Sequence, residues 1–518
     1  ARDAMRIAVL TPLPPVRSGI AGYAALLLPH LAARAEVVAV VDQERWDPVG
    51  AIEVVPVARF AAMRSSFDAV IGQLGNNPYH DFVWGEAMER PLHAVLHDFV
   101  LHHLVVERTL AKGNAAEYEA IVAGSDGAAG AAFARGRSRG YHAELGNFLF
   151  PASSDLAARS KGVIVHNRWA GEELRRRGVE TPIVVVGHPF DAAAPLPTDA
   201  ERARVRSELG FTAEHRVIGM FGFVTGAKRP EAVFAAFGRA RAIDPSLRLL
   251  IVGAPAPNVD LDALAAAAAL PAESWKKTGY VADEAFDGYL AAVDRVVNLR
   301  YPSAGEMSGP LIRAFRLGRP VAVSELAQFA EIPRDVVVHV APTAEEIPAL
   351  VSFMTRPIDA GALASAQRRW LDEHASMERV VGGYMRALAG ENDIPERMVS
   401  APASLPLVPR LSVRNLAASV DRAALRVSFD VANEGEERYR AAAYGEPALR
   451  FVAKAWSGDA VVGGRWVAPT RDLGRGDEMT LEIDLPIDRD ADRVTIELAI
   501  SDVPLFQPRI IASTPVGA

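Results

Sequence analysis

The chain is 518 residues long, half of them hydrophobic, and carries a net charge of −8. At about 150 residues per domain this length predicts three domains, and the negative balance leaves no footprint for nucleic acid. The absence of cysteine excludes disulfides, cysteine-bound zinc and thiol catalysis, and no uninterrupted apolar run reaches the roughly 18 residues of a spanning helix.

The opening ARDAMRIAVLTPLPP lacks a signal peptide's long apolar stretch and small-residue cleavage site, which favours the cytoplasm. Within it Met5–Leu10 reads as a buried strand, followed by a Pro-rich loop and the helical pattern GYAALLLPHLA. Val37–Val41, Ala69–Leu74, His93–His97 and Gly162–His166 are further apolar strands separated by helical patterns, the signature of a parallel sheet covered on both faces. Gly113–Gly140 is rich in Ala and Gly, with Arg135, Arg137 and Arg139 two apart, and reads as a mobile surface insertion or as an anion-attracting lid. A linker is expected around Pro189–Asp199, and a second α/β series starts at Arg216–Val224. It continues through a helix from about Glu231 to Ile243, then LRLLIVG, a segment around TGYV, RVVNLRY and RPVAVS. Glu391–Pro409 is Pro-rich and without period. After it ALRVSFDV, MTLEIDL and RVTIELAI alternate apolar and polar residues, which predicts an antiparallel β-sandwich.

In open parallel sheets ligands bind beyond the carboxyl ends of the strands. Three loops there carry polar groups in the first series: TPLPPVRSGIAGY with Gly19, QLGNNPYH with Asn76, Asn77 and His80, and HDFVLHH with His97 and Asp98. A lone histidine beside a strand is usually structural; two polar loops at neighbouring strand ends keep the functional reading open. In the second series FGFVTGAKRP follows a strand and precedes a helix. Gly226 permits a tight turn, and Lys228 and Arg229 put two cations at the positive end of the helix dipole. A phosphate would resolve that conflict, although two solvated surface cations would give the same sequence. The pattern is not a Walker A loop. In YPSAGEMSGPLIRAFRLGRPVAVS, Ser308 and Gly309 would open a helix whose N–H groups offer a second anion site. Glu306 just upstream suits the hydroxyls of a phosphate-bearing ligand, or the plain capping of that helix. Phosphates with hydroxyls describe a sugar nucleotide.

On SGIAGY, the pair His97–Asp98, FGFVTGAKRP, SAGEMSGPLIRAFRLGRPV and EHASMERVVGGYMRAL, in that order, the chain from Met5 to about Gly390 resembles the family 4 retaining glycosyltransferases. The resemblance implies an α/β chain of the GT-B fold, two Rossmann-like domains in tandem, with the all-β sandwich following. It implies an acceptor-side domain over 1–190 and a donor domain over 191–390, whose final helix at about 367–390 crosses back to the first domain. A linker over 391–410 and the sandwich over 411–518 complete the expected boundaries. Gly19 and Ile20 would line the donor phosphates, His97 would lie near the transferred group, Lys228 would bind the pyrophosphate, and Glu306 would hold donor-sugar hydroxyls. Tyr280 and Val281 would flank the base, with Thr225, Arg229, Met307, Ser308 and Gly309 completing the donor set. Asn76, Asn77, His80 and Asp98 would face the acceptor.

Two positions depart from the family pattern. Its second glutamate, which holds the ribose, is Ala314 here, and its arginine five residues before the lysine is Phe223, leaving Arg229 as a substitute. The expected partners are a nucleotide sugar as co-substrate and a glycan or lipid-linked acceptor, with no metal, no other cofactor and no nucleic acid. The expected location is the cytoplasm or the inner face of the membrane, in cell-surface polysaccharide synthesis. The rival reading is a non-catalytic carbohydrate-binding scaffold with a degenerate donor site. The DxD patterns at 260–262, 488–490 and 490–492 read as exposed loop acids, and Trp456 and Trp466 as packing residues in preference to sugar platforms.

Overall fold

The computed structural model describes residues 5–138, 144–342, 345–395, 411–421, 424–434, 449–467, 473, 476–487, 490–500, 503–504 and 510–516. The chain divides into two compact units, Ala1–Arg108 with Ser153–Met398, and Thr109–Ala152 with Val399–Ala518.

The first unit holds two parallel sheets. Strands β1 (Arg6–Leu10), β2 (Glu36–Val41), β3 (Glu53–Pro56), β4 (Ala69–Leu74), β5 (His93–Leu96), β6 (Gly162–Val165) and β7 (Ile183–Val185) lie in the order β3-β2-β1-β4-β5-β6-β7. Strands β8 (Arg216–Phe221), β9 (Leu247–Val252), β10 (Trp275–Lys277), β11 (Arg295–Asn298), β12 (Val321–Ser324) and β13 (Val338–Val340) follow the order β10-β9-β8-β11-β12-β13. The central strands are buried on both faces, which is why they read as unbroken apolar runs. The short strands β3, β7 and β13 have too few apolar residues to stand out in the sequence. Strand β10 precedes TGYV; at Gly279, which takes φ 69°, the parallel ladder gives way to an isolated antiparallel bridge with Gly253.

In each sheet the chain first runs to one side and then crosses back, so direction reverses between β1 and β4 and between β8 and β11. Those reversals leave crevices at the carboxyl ends of the strands, where neighbouring loops part. The Met377–Leu388 helix returns to the first sheet. Its Val380, Val381, Tyr384 and Ala387 join Tyr23, Leu27 and Val41 in one hydrophobic cluster. Beyond it Asn392 Oδ1 and Asp393 Oδ2 accept from the backbone N–H groups of Ile183 and Val185 at 3.1 and 2.9 Å, closing the exposed edge of β7.

The second unit combines the inserted Thr109–Ala152 segment with the C-terminal strands. The insertion, expected as a mobile surface segment or an anion-attracting lid, is helical over Ala115–Ser138 with Tyr118, Val122 and Ala134 buried, and its regular path breaks at Gly127. Arg137 bonds Asn147 within it, and Arg139 lies outside the described residues. One sheet is β14 (Leu411–Asp421), β15 (Ala424–Asn433) and β18 (Glu478–Pro486); the other holds β16 (Leu449–Ser457), β17 (Ala460–Val467), β19 (Arg493–Ile500), β20 (Val503–Pro504) and β21 (Ile510–Pro515). Alternate residues such as Val427, Phe429, Leu481, Ile483, Phe451 and Ile496 share a single core between the sheets, a β-sandwich. Trp456 donates to Thr495 at 2.8 Å under the Arg493 guanidinium, a packing role; the Trp466 side chain and residues 396–410 of the expected linker lie outside the described residues. Among the described residues no helix is long and apolar enough to cross a membrane.

Two adjacent glycines of the returning helix separate packing from propensity. A methyl at Gly383 would sit 2.6 Å from Val186 Cγ2, whereas one at Gly382 meets nothing within 4 Å. Gly383→Ala is expected to destabilise by about 1–3 kcal/mol through overpacking, and Gly382→Ala to stabilise by roughly 0.5–1 kcal/mol. Denaturant unfolding of the two variants checks this, and equal shifts would mean that the helix does not dock as described.

Candidate functional site

The loops after β8 and β11 bring the chemistry of the second sheet together. Gly222 follows β8 in a left-handed conformation, and a methyl there would lie 2.8 Å from Lys228 Nζ, so the lysine doubles back over its own loop. Lys228 is buried and donates to the carbonyl of Phe221 at 2.8 Å. Burial and the neighbouring Arg300 press its ammonium well below the ordinary lysine range, with Glu306 opposing them. Thr225 starts this turn without a side-chain hydrogen bond, and a methyl on Gly226 would meet open space.

Arg229 goes elsewhere. It takes φ 61° at the head of the Pro230–Ile243 helix and binds the buried carboxylate of Glu346, with Nε to Oε1 at 3.1 Å. Expected as a second cation of the donor loop, it is committed to an ion pair within the domain core. A different cation takes its place beside Lys228. Arg300, two residues beyond β11 and 7% exposed, donates from Nε to Glu306 Oε1 at 2.6 Å and from Nη1 to Leu299 O at 2.7 Å. Tyr301 N donates to Ala227 O at 2.7 Å and joins the two loops.

Glu306 also accepts from Ala304 N at 3.1 Å. Ser308 caps the Gly309–Arg316 helix, accepting from Leu311 N while its hydroxyl donates to Asn298 at 3.0 Å, so the capping seen in the sequence falls to Ser308 and leaves Glu306 free of it. A methyl on Gly309 would meet nothing within 4 Å, and Met307 and Val281 pack on the domain core. Ala314 is fully buried in that same core.

Across from these loops the first sheet supplies a histidine floor. His97 Nε2 meets the Gln73 amide, whose other end lies 3.2 Å from the Tyr384 hydroxyl. His166 Nδ1 faces the Val186 carbonyl at 2.8 Å and so carries its proton, while His166 Nε2 and His97 Nδ1 stand 3.1 Å apart. Burial and the rings of His166, His80 and His188 hold His97 well below the histidine range; burial pulls His166 down to about 3 and His80 to about 4. His97 is therefore a neutral hydrogen-bonding group. Tyr23 stands edge-on to it at 4.6 Å and shares a 2.9 Å hydroxyl contact with Tyr384.

The other expected residues divide. Asn76 Oδ1 accepts from His103 N and Leu104 N, Asn77 Oδ1 from Tyr79 N, so both side chains hold loops in shape. His80 is buried, bonded through Nδ1 to Gln73 O. Ile20 packs its side chain toward Gly75, while a methyl on Gly19 would meet nothing within 4 Å. Asp98 accepts from Asn76 N at 2.7 Å, and burial together with Glu306 raises its carboxyl to about 7 against the opposing Asn76 N–H and Arg300. The two domains meet at this point. Val100 N donates to Ala304 O at 3.0 Å and Asn167 Nδ2 to Gly305 O at 2.8 Å. Tyr280, 57% exposed, lies under the Arg17 guanidinium of the first domain at 4.4 Å.

Sequence reasoning missed Arg300, His166, Tyr384 and the Glu331 carboxylate, which accepts from Arg168 N and Trp169 N. An arginine following an apolar strand run was the one available signal for Arg300. Of the DxD patterns, Asp260 caps the Leu261–Ala267 helix, Asp262 pairs with Lys277, and Asp492 accepts from Gly458 N; residues 488–489 lie outside the described residues.

No protein-family model matches the chain, and no curated protein sequence matches it. Among solved structures, HepE of Anabaena in complex with UDP and glucose is similar over 74% of this chain and 99% of its own, at 16% identity and a TM-score of 0.52. A glycosyltransferase from Rickettsia africae is similar over 74% of this chain and 98% of its own, at 11% identity and a TM-score of 0.50. At these identities the likeness is one of fold, and the two parallel-sheet domains in tandem have the GT-B architecture.

Proposed function

We propose that the protein is a retaining, metal-independent hexosyltransferase of family 4. It takes its sugar from a nucleoside diphosphate donor and delivers it to a hydroxyl of a glycan or lipid-linked acceptor in cell-surface polysaccharide synthesis, on the cytoplasmic side. The observation that carries the reading is the buried Lys228 beside Glu306 at the carboxyl ends of β8 and β11, facing a neutral His97 and Asp98. The capture of UDP-glucose by HepE supports it.

In this reading the bond between the anomeric carbon and the diphosphate oxygen breaks with its electron pair going to the phosphate. Lys228 and the Gly309 end of its helix stabilise the charge as it develops. The acceptor oxygen bonds to the same face of the anomeric carbon, and its proton passes to the departing phosphate oxygen. Glu306 accepts from donor-sugar hydroxyls, and His97 hydrogen-bonds near the transferred group without adding charge. Tyr280 and Val281 flank the base. Phe223, 56% exposed, and Ala314, buried in the core, favour the scaffold reading, because neither supplies a ligand contact of the expected kind.

Screening nucleotide sugars for thermal stabilisation, followed by a product assay, decides between the two readings. Binding without turnover of any donor would favour the scaffold. For the enzyme, Lys228→Ala is expected to weaken binding of the free nucleoside diphosphate and to slow transfer by about 10²–10³. Glu306→Gln should leave diphosphate binding nearly intact while turnover falls, as calorimetry and the product assay would show. A chelator is expected to leave turnover unchanged; activity lost in chelator and restored by magnesium would remove the metal-independent mechanism.

The Asp98 carboxyl adds a pH dependence. Raised to about 7, it is neutral on the acid side and becomes a second negative charge beside Glu306 above that point. Diphosphate affinity should therefore fall as pH rises through about 7, against the gain that ionisation of the phosphate itself brings at a cationic site. Calorimetry at about pH 6 and 8 should show a smaller fall in Asp98→Asn; identical slopes in the two proteins would exclude this role.

A further inference from the structure

A site built to hold a diphosphate needs more than one positive group, and the two expected from the sequence reduce to one when Arg229 turns into its pair with Glu346. The loops themselves supply the other. Arg300 is carried by the strand adjacent to that of Lys228, its backbone N–H is fixed to the buried Ser324 hydroxyl at 2.9 Å, and the Tyr301–Ala227 bond keeps the two loops in register. Only Nε and Nη1 of its guanidinium have acceptors. Both N–H groups of Nη2, and two of the three on Lys228 Nζ, have none among the described residues. Nη2 is not sealed among the buried atoms, so this edge of the guanidinium is open to an incoming group, and two adjacent cations with one carboxylate between them lack an anion.

We propose that Arg300 is the second cation on the donor diphosphate, acting with Lys228 through the guanidinium edge that Glu306 leaves open. Glu306 then has a double task, orienting Arg300 through Oε1 while receiving sugar hydroxyls on its remaining lone pairs. The phosphate-binding cation expected after β8 is thus displaced to the end of β11, and Phe223 needs no charge. The assignment rests on the glycosyl-transfer reading. It differs from a merely orienting role, in which Arg300 would serve the sugar through Glu306 and leave the phosphates untouched.

Calorimetry with uridine, guanosine and adenosine mono- and diphosphates tests it. Arg300→Gln is expected to lose about tenfold or more in affinity for the diphosphate that the wild type binds, with little change for the monophosphate of the same base, while Glu306→Gln keeps both affinities. Arg300→Lys retains the charge but not the second edge and guards against a glutamine variant that fails to fold; it should lose roughly threefold or more, again only for the diphosphate. Unchanged diphosphate affinity in either folded variant, with turnover reduced as in Glu306→Gln, overturns the proposal in favour of orientation. A wild-type protein that binds none of the six nucleotides overturns the glycosyl-transfer reading, and this assignment with it.

Discussion

The close approach of backbone at Gly305 governs the site. Gly305 takes φ 78°, and a methyl there would lie 2.7 Å from both Phe99 Cβ and the Trp169 ring. No side chain fits, so the loop after β11 rests directly on the first domain, with the Ala304 and Gly305 carbonyls accepting from Val100 and Asn167. Glu306 is the next residue. Its position relative to Asp98, and through it that of Arg300, follows from a contact in which this loop contributes backbone only.

Around that contact the cations outnumber the carboxylates for as long as Asp98 keeps its proton. Lys228 and Arg300 stand on one side, Glu306 and a raised Asp98 on the other, all with little water. Charges in such a place cost several kcal/mol each unless paired, so the cluster makes sense as a receptor for a further charged group. The histidine floor contrasts with it. Three buried rings and the half-buried His188 lose their protons easily, which leaves polarity without charge on this side of the crevice.

Much of this was legible in the sequence. Central strands declare themselves as apolar runs, and the glycine-bearing loops behind β8 and β11 pointed to Lys228 and Glu306. What could not be read depended on direction. Whether Arg229 faces the crevice or the core turns on a single left-handed residue, and nothing local distinguishes the two outcomes. Asn76 and Asn77 have the composition of a binding loop, but asparagine is equally at home capping a turn, and here the backbone N–H groups nearest to them claim their oxygens. Arg300 was hidden because it looks like the tail of a strand. Tyr384 and His166 meet His97 only after long stretches of chain have folded, so no spacing could reveal them.

The returning helix has a consequence for the order in which the molecule is made. The cluster around Tyr23 and Leu27 is sealed by Val380, Tyr384 and Ala387, more than three hundred residues downstream. Its hydroxyl pair, Tyr23 with Tyr384, closes only when both ends are present. During synthesis the second sheet can therefore be assembled while the first still has an open flank. Of the two parallel-sheet domains, the one translated earlier is the later to complete its core, and that apolar flank stays exposed to the cell until Tyr384 and Ala387 have been made.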